Sequence, residues 1–158
     1  MIKVGEMAPD FELEDDSGAR VRLSGLRGKT VVLYFYPRDD TPGCTKEACS
    51  FRDSWAAVKA TGAAVYGVSP DTVEKHRAFR DKYGLQFPLL SDRERSVMKA
   101  YGAFGQKIMY GREVEGVIRS TFIIGPDGKV AKAFPKVKPE GHAGEVLDAL
   151  GALGGMKG

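Results

Sequence analysis

The sequence predicts an α/β sandwich, a mixed sheet with helices on both faces. Three observations carry that reading. Three short runs of β-branched, aliphatic and aromatic residues, Thr30–Tyr36, Ala63–Ser69 and Ser120–Gly125, read as buried strands. Stretches with apolar residues at three- and four-residue spacing separate them, which is the period of a half-buried helix. After the third run, Pro126-Asp127-Gly128 has turn chemistry and leads into an alternating run, Lys129–Phe134. A parallel strand pair followed by an antiparallel hairpin accounts for that order.

Each element has its own signal. Phe11-Glu12-Leu13 and Val21-Arg22-Leu23 flank Asp16-Ser17-Gly18 and predict an extra N-terminal hairpin. Pro37 ends the first buried strand. Thr45–Ala60 predicts one continuous helix, with Ala48, Phe51, Trp55 and Val58 on its buried stripe. Pro70 closes the second strand, and Ser69-Pro70-Asp71 opens a helix that carries Val73, His76, Phe79 and Tyr83 on one face and stops at Gly84. Asp92–Tyr101 predicts a shorter helix, ended by Gly102. Gly141–Leu153 predicts the last, with Val146, Leu147, Leu150 and Leu153 on one side, and residues 154–158 read as a flexible tail. The segment Gln106–Glu113 receives no element and no role.

The 158 residues are about one domain, with no repeat or linker, and 42% hydrophobic residues are enough for a core. No apolar run approaches the roughly 20 residues of a membrane helix. Lys and Arg number 24 against 21 Asp and Glu, a net charge of +3 that is too small for a dedicated nucleic-acid binder. Met1–Glu6 lacks the apolar region of a signal peptide, so a cytoplasmic location is expected.

Several motifs lead nowhere. Gly28-Lys29-Thr30 resembles the end of a phosphate-binding loop, but Leu23 stands where that loop needs glycine. His76 and His142 lie far apart without ligand spacing; His76 reads as a helix-face residue and His142 as a solvated or capping one. Lys129, Lys132, Lys136 and Lys138 read as a solvated strand edge, and Trp55 as core.

Chemistry concentrates in Pro37–Cys49, between the first buried strand and the first long helix. Ligands of parallel sheets bind in the crevice beyond the carboxyl ends of the strands. Both cysteines of the chain are here. Cys44 falls at the start of a helix, where the dipole and free N–H groups favour a thiolate, the form a sulfur nucleophile needs. Thr41 would place a hydroxyl within about a turn of that sulfur. The residues alone also allow two reduced cysteines packed as small hydrophobes. Half of a zinc site lacks further ligands nearby.

The spacing Pro37-x-x-x-Thr41-x-x-Cys44 resembles the active-site motif of the peroxiredoxins. The stretch Tyr36–Asp53 is similar to their bacterioferritin comigratory protein, or peroxiredoxin Q, branch. The likeness extends through Met7–Phe11, Gly67-Val68-Ser69 and the last helix. It implies a thioredoxin-like fold with an N-terminal extension. It also implies reduction of hydrogen peroxide and organic hydroperoxides, with Cys44 as the peroxidatic thiol and Cys49 as the resolving one. Arg119 and Thr41 would donate to the breaking O–O bond, Pro37 would shield the sulfur, and Glu47 would orient Arg119. Thioredoxin or a similar dithiol protein would be the reductant, with no cofactor or metal, and a monomer is the expected state. The rival is a thiol–disulfide oxidoreductase acting on proteins, but that class uses Cys-x-x-Cys, whereas four residues separate the cysteines here.

Overall fold

A computed structural model describes residues 1–155. β1 (Glu12–Asp15) and β2 (Arg20–Arg22) form the expected hairpin, and a 3₁₀ turn (Leu23–Leu26) leads to β3 (Val31–Phe35). Next come α1 (Pro42–Asp53), α2 (Trp55–Ala60), β4 (Ala64–Ser69), α3 (Val73–Tyr83), β5 (Leu89–Ser91) and α4 (Ser96–Tyr101). β6 (Phe104–Met109) pairs with β7 (Arg112–Val117), and β8 (Ser120–Ile124), β9 (Val130–Phe134) and α5 (His142–Gly155) complete the chain. The main sheet has seven strands in the order β2-β1-β5-β4-β3-β8-β9. β3, β4 and β5 run parallel, and β8 returns antiparallel against β3. This is the mixed α/β architecture the sequence predicts.

β3 lies at the middle of that sheet and its residues are buried on both faces. Val32, Tyr34 and Tyr36 point to one core with Phe51, Val58, Phe79, Val146 and Leu150. Val31, Leu33 and Phe35 point to the other with Met98, Tyr101 and Phe122. The period of two along β3 thus feeds two cores, one on each side of the sheet. Aromatic stacking of Tyr34 on Tyr36 and Phe51 fills the first, with ring centroids 5.4 and 5.1 Å apart.

Some elements differ from the sequence reading. The predicted helix Thr45–Ala60 starts earlier, at Pro42, and is divided at Ser54, where ψ opens to 10°. Pro at the first helical position needs no N–H partner. The bend lets Trp55 lie against Phe87, with ring centroids 5.8 Å apart. The predicted helix Asp92–Tyr101 keeps only its second half. Asp92 instead accepts from the N–H groups of Val97 and Met98 (3.4 and 2.9 Å), and Arg95 takes a left-handed φ of 62°. β5 carries no sequence signal beyond the apolar pair Leu89-Leu90 after Pro88. Gln106–Glu113 falls within the β6–β7 hairpin, whose two-residue turn, Tyr110-Gly111, has φ of 54° and 76°. α5 runs to Gly155, so the tail reading fails for residues 154 and 155, and its last three residues lie outside the described ones. Lys129, Lys132, Lys136 and Lys138 are exposed along and beyond the edge strand β9, as predicted. No helix among the described residues is long and apolar enough to cross a membrane.

Candidate active site

The site lies where β3 ends and α1 begins. Thr41 caps α1 with an extended ψ of 156°, Pro42 and Gly43 form its first turn, and Cys44 follows. The N–H groups of Gly43 and Cys44 have no intrahelical acceptor, because the first helical bond runs from Thr45 N to Thr41 O (2.8 Å). These free donors and the positive end of the helix dipole lie in the turn that carries Cys44. Cys44 is only 1% exposed, and its sulfur faces one strong donor: Arg119 Nη2, at 3.1 Å.

Arg119 stands in the link between β7 and β8, four strands beyond α1 in sequence but brought close through the β3–β8 pairing. Its backbone carbonyl accepts from Val137 N (2.9 Å), which ties this corner to the segment before α5. Its Nη1 donates to Glu47 Oε1 at 2.7 Å. One guanidinium thus forks between a sulfur and a carboxylate, a geometry that an ammonium could not reproduce. Burial would lower Arg119, but Cys44 and Glu47 outweigh it and hold the guanidinium above its usual range. Glu47, one turn past Cys44, is fully buried in the same helix. Burial pushes its carboxyl from 4.5 up to about 7 against the pull of Arg119, and its Oε2 has no partner among the described residues.

Gly43 makes room for this fork. A Cβ there would sit 3.3 Å from Arg119 Nη2 and 3.5 Å from Pro139 Cγ. Lys107 on β6 approaches from the other side. Its stem passes Gly116, where a Cβ would come within 3.0 Å of Cε, and its ammonium donates to Val117 O (2.7 Å). Burial and repulsion from Arg119 hold Lys107 below the usual lysine range. Sequence reasoning gave Lys107 no role; the pair of glycines on its face of the hairpin, Gly105 and Gly116, was the available signal.

Of the six predicted site residues, Cys44, Arg119 and Glu47 form one hydrogen-bonded chain. Thr41 is adjacent, with its hydroxyl donating to Arg38 O at 3.0 Å rather than to the sulfur. Pro37 is half-buried at the start of the loop, and Cys49 is half-buried on α1 with its thiol free. The histidines differ from expectation. His142 is buried rather than solvated: it starts α5, meets Thr121 Oγ1 at 2.7 Å through Nε2 and Glu145 at 3.3 Å through Nδ1. Burial lowers it below the usual imidazole range. His76 is fully buried on α3 and bound at both ring nitrogens. Among the described residues no group of three or more His, Cys, Asp or Glu side chains is placed to hold a metal ion.

A buried cysteine at a helix start, bridged by arginine to a helix glutamate beyond the end of an interior strand of a thioredoxin-like sheet, defines a thiol-dependent peroxidase. The chain belongs to the AhpC/TSA family, whose profile matches residues 4–133. It is 47% identical over 149 residues to a putative peroxiredoxin bcp of Coxiella burnetii, covering 94% of this chain and 99% of that one. The peroxiredoxin Bcp of Bacillus subtilis is 46% identical over 149 residues, with 94% and 95% covered. Among solved structures, the Xanthomonas campestris bacterioferritin comigratory protein superposes with a TM-score of 0.89 at 38% identity, covering 96% of this chain and 99% of that one. A Cys-to-Ser mutant of PrxQ from Xylella fastidiosa gives 0.90 at 36% identity, with 97% and 98% covered.

Proposed function

We propose that the chain reduces hydroperoxides with Cys44 as the peroxidatic thiolate and Cys49 as the resolving thiol. The single observation that carries this is the Glu47–Arg119–Cys44 chain of contacts, which turns a fixed cation onto one sulfur and leaves the other free. The Cys44 thiolate attacks one oxygen of ROOH, the O–O bond breaks, and the sulfur becomes a sulfenic acid while ROH leaves after taking up a proton. Charge develops on both oxygens, so donors aimed there lower the barrier. Arg119 Nη2 and the free N–H groups at the start of α1 are those donors. Thr41 joins them once its hydroxyl turns from Arg38 O, and Pro37 limits water at the sulfur.

Cys49 then condenses with the sulfenic acid, releasing water and forming a disulfide. A dithiol protein, thioredoxin in this reading, restores both thiols by exchange. The Xanthomonas campestris protein is described by its alkyl peroxide reduction activity, which favours organic hydroperoxides beside hydrogen peroxide as substrates. A cytoplasmic monomer is the state in which we place the chain. In support of the monomer, the large exposed hydrophobics among the described residues are few and confined to Met1, Val4, Met7, Ile108 and Tyr110. Free thiols counted after hydrogen peroxide is added to the reduced protein test the reading. Two thiols should be lost per peroxide in the wild type and none at that rate in Cys44→Ser. Equal loss in Cys44→Ser would contradict it.

A further inference from the structure

The loop that delivers Cys44, Pro37–Thr41, is held almost wholly by α3 and its entry, through contacts that the peroxide chemistry does not use. Asp39 Oδ2 lies 2.6 Å from His76 Nδ1, and Tyr36 Oη donates to Asp39 Oδ1 at 2.5 Å. His76 Nε2 lies 2.9 Å from Leu90 O. The backbone N–H of Asp39 donates to Asp71 Oδ2 at 2.6 Å, and Asp71 is fixed in turn by Ser69 and Ser91. One residue on, Asp40 takes a left-handed φ of 59°, and its carboxylate accepts from Lys82 Nζ (2.7 Å) and Tyr83 Oη (2.8 Å). A non-glycine residue in that region persists where its surroundings hold it.

Counting hydrogens places one in the contact between Asp39 and His76. Leu90 O can only accept, so His76 Nε2 carries a hydrogen. A bare Nδ1 lone pair would then face a carboxylate oxygen at 2.6 Å, so a second hydrogen lies between them. Burial and the Asp39 charge hold the Tyr36 hydroxyl well above its usual range, so it keeps its proton and donates. The charged or titratable groups around the imidazole are Tyr36, just past β3, and Asp39 from the loop, with Asp71 behind Asp39 at the entry to α3.

We propose that Asp39 and His76 are positioning residues for the peroxide reaction, a buried imidazolium–carboxylate clamp that fixes the loop on α3 and so sets where the Cys44 helix begins. The proposal rests on Cys44 being the nucleophile. Cys44 rides on α1, whereas Arg119 comes from the β7–β8 link, so their 3.1 Å contact depends on the register between two separately anchored segments. The clamp anchors one of them. Without it the first turn of α1 drifts against Arg119, and a displacement of about an ångström at a reacting group is costly in rate.

Nitrogen-15 correlation spectra of the full chain, which has two histidines, test this. In the wild type at pH 7, both ring nitrogens of His76 should carry hydrogen. In Asp39→Asn, one of them should lose it, and sulfenic acid formation on Cys44 should slow by about tenfold. Lys82→Met, which leaves the buried pair intact, should keep the doubly protonated ring. A bare ring nitrogen on wild-type His76 at pH 7 overturns the proposal, and that spectrum decides it even if Asp39→Asn does not fold. An Asp39→Asn protein that reacts at the wild-type rate overturns it too. If instead peroxide oxidises Cys49 first in every variant while the His76 signature stands, it is the reading of Cys44 that has failed.

Discussion

Arg119 is where charge and geometry are hardest to separate, because one guanidinium serves both the sulfur and Glu47. Arg119→Lys keeps the charge and gives up the fork. Peroxide oxidation of Cys44, followed by stopped-flow fluorescence, should slow by roughly 100- to 1,000-fold, as when an oxyanion donor is lost. The melting temperature should move little, since Glu47 can still pair with the ammonium; near-normal kinetics would remove Arg119 from the site. Glu47 makes a separate prediction. Its folded value of about 7 lies above the ordinary 4.5. Between those values the unfolded chain binds fewer protons than the folded one, so this group's contribution is fully present below pH 4.5 and is lost as pH rises through 7. Unfolding of the wild type relative to Glu47→Gln should therefore weaken by up to about 3 kcal/mol between pH 4 and pH 8. Denaturant titrations of both proteins at several pH values check the sign and the size. At this scale the sequence was informative for Cys44, through its motif and helix-start position, and for Arg119 and Glu47 through the family resemblance. It placed His76 on the apolar face of α3 and read His142 as solvated or capping, and missed their partners, because a buried histidine is defined by contacts distant in sequence, Leu90 and Thr121.

Helix α1 carries both cysteines, so the disulfide demands a change in the element itself. Five residues along an α-helix rise about 7.5 Å and rotate about 140° beyond a full turn, which separates the Cα atoms by about 8.6 Å. A disulfide spans at most roughly 6.8 Å between Cα atoms. The continuous run Pro42–Asp53 therefore cannot contain a Cys44–Cys49 bond, and part of it must unwind for the proposed disulfide to form. Hydrogen exchange should show lost amide protection across about Thr45–Arg52 in the oxidised protein, with less helix in far-ultraviolet circular dichroism. Protection unchanged in a protein with a proven Cys44–Cys49 bond would contradict this. The long helices and buried strands were legible because burial imposes a clear period. β5 was not, since three residues cannot display one. The β6–β7 hairpin was not, since its Tyr110-Gly111 turn lacks the usual Asn-Gly or Asp-Gly signal and neither strand alternates cleanly between apolar and polar residues. The division at Ser54 escaped because its cause, the packing of Trp55 on Phe87, is tertiary.

Across the whole molecule, two cores on either side of β3 hold the sheet, and the site is assembled from segments that only the sheet brings together. α1 presents the sulfur, the β7–β8 link presents Arg119, α3 holds the loop, and Pro139 closes over Gly43. That convergence explains why the motif could point to Cys44 while the contacts around it had to be seen. The central claim is that Cys44 meets peroxide first and Cys49 only resolves. Dimedone traps sulfenic acid, and mass spectrometry locates it. With one equivalent of hydrogen peroxide, Cys49→Ser should carry the adduct on Cys44 within the first turnover, and Cys44→Ser should carry almost none on Cys49. An adduct forming on Cys49 in Cys44→Ser at a comparable rate would contradict the account.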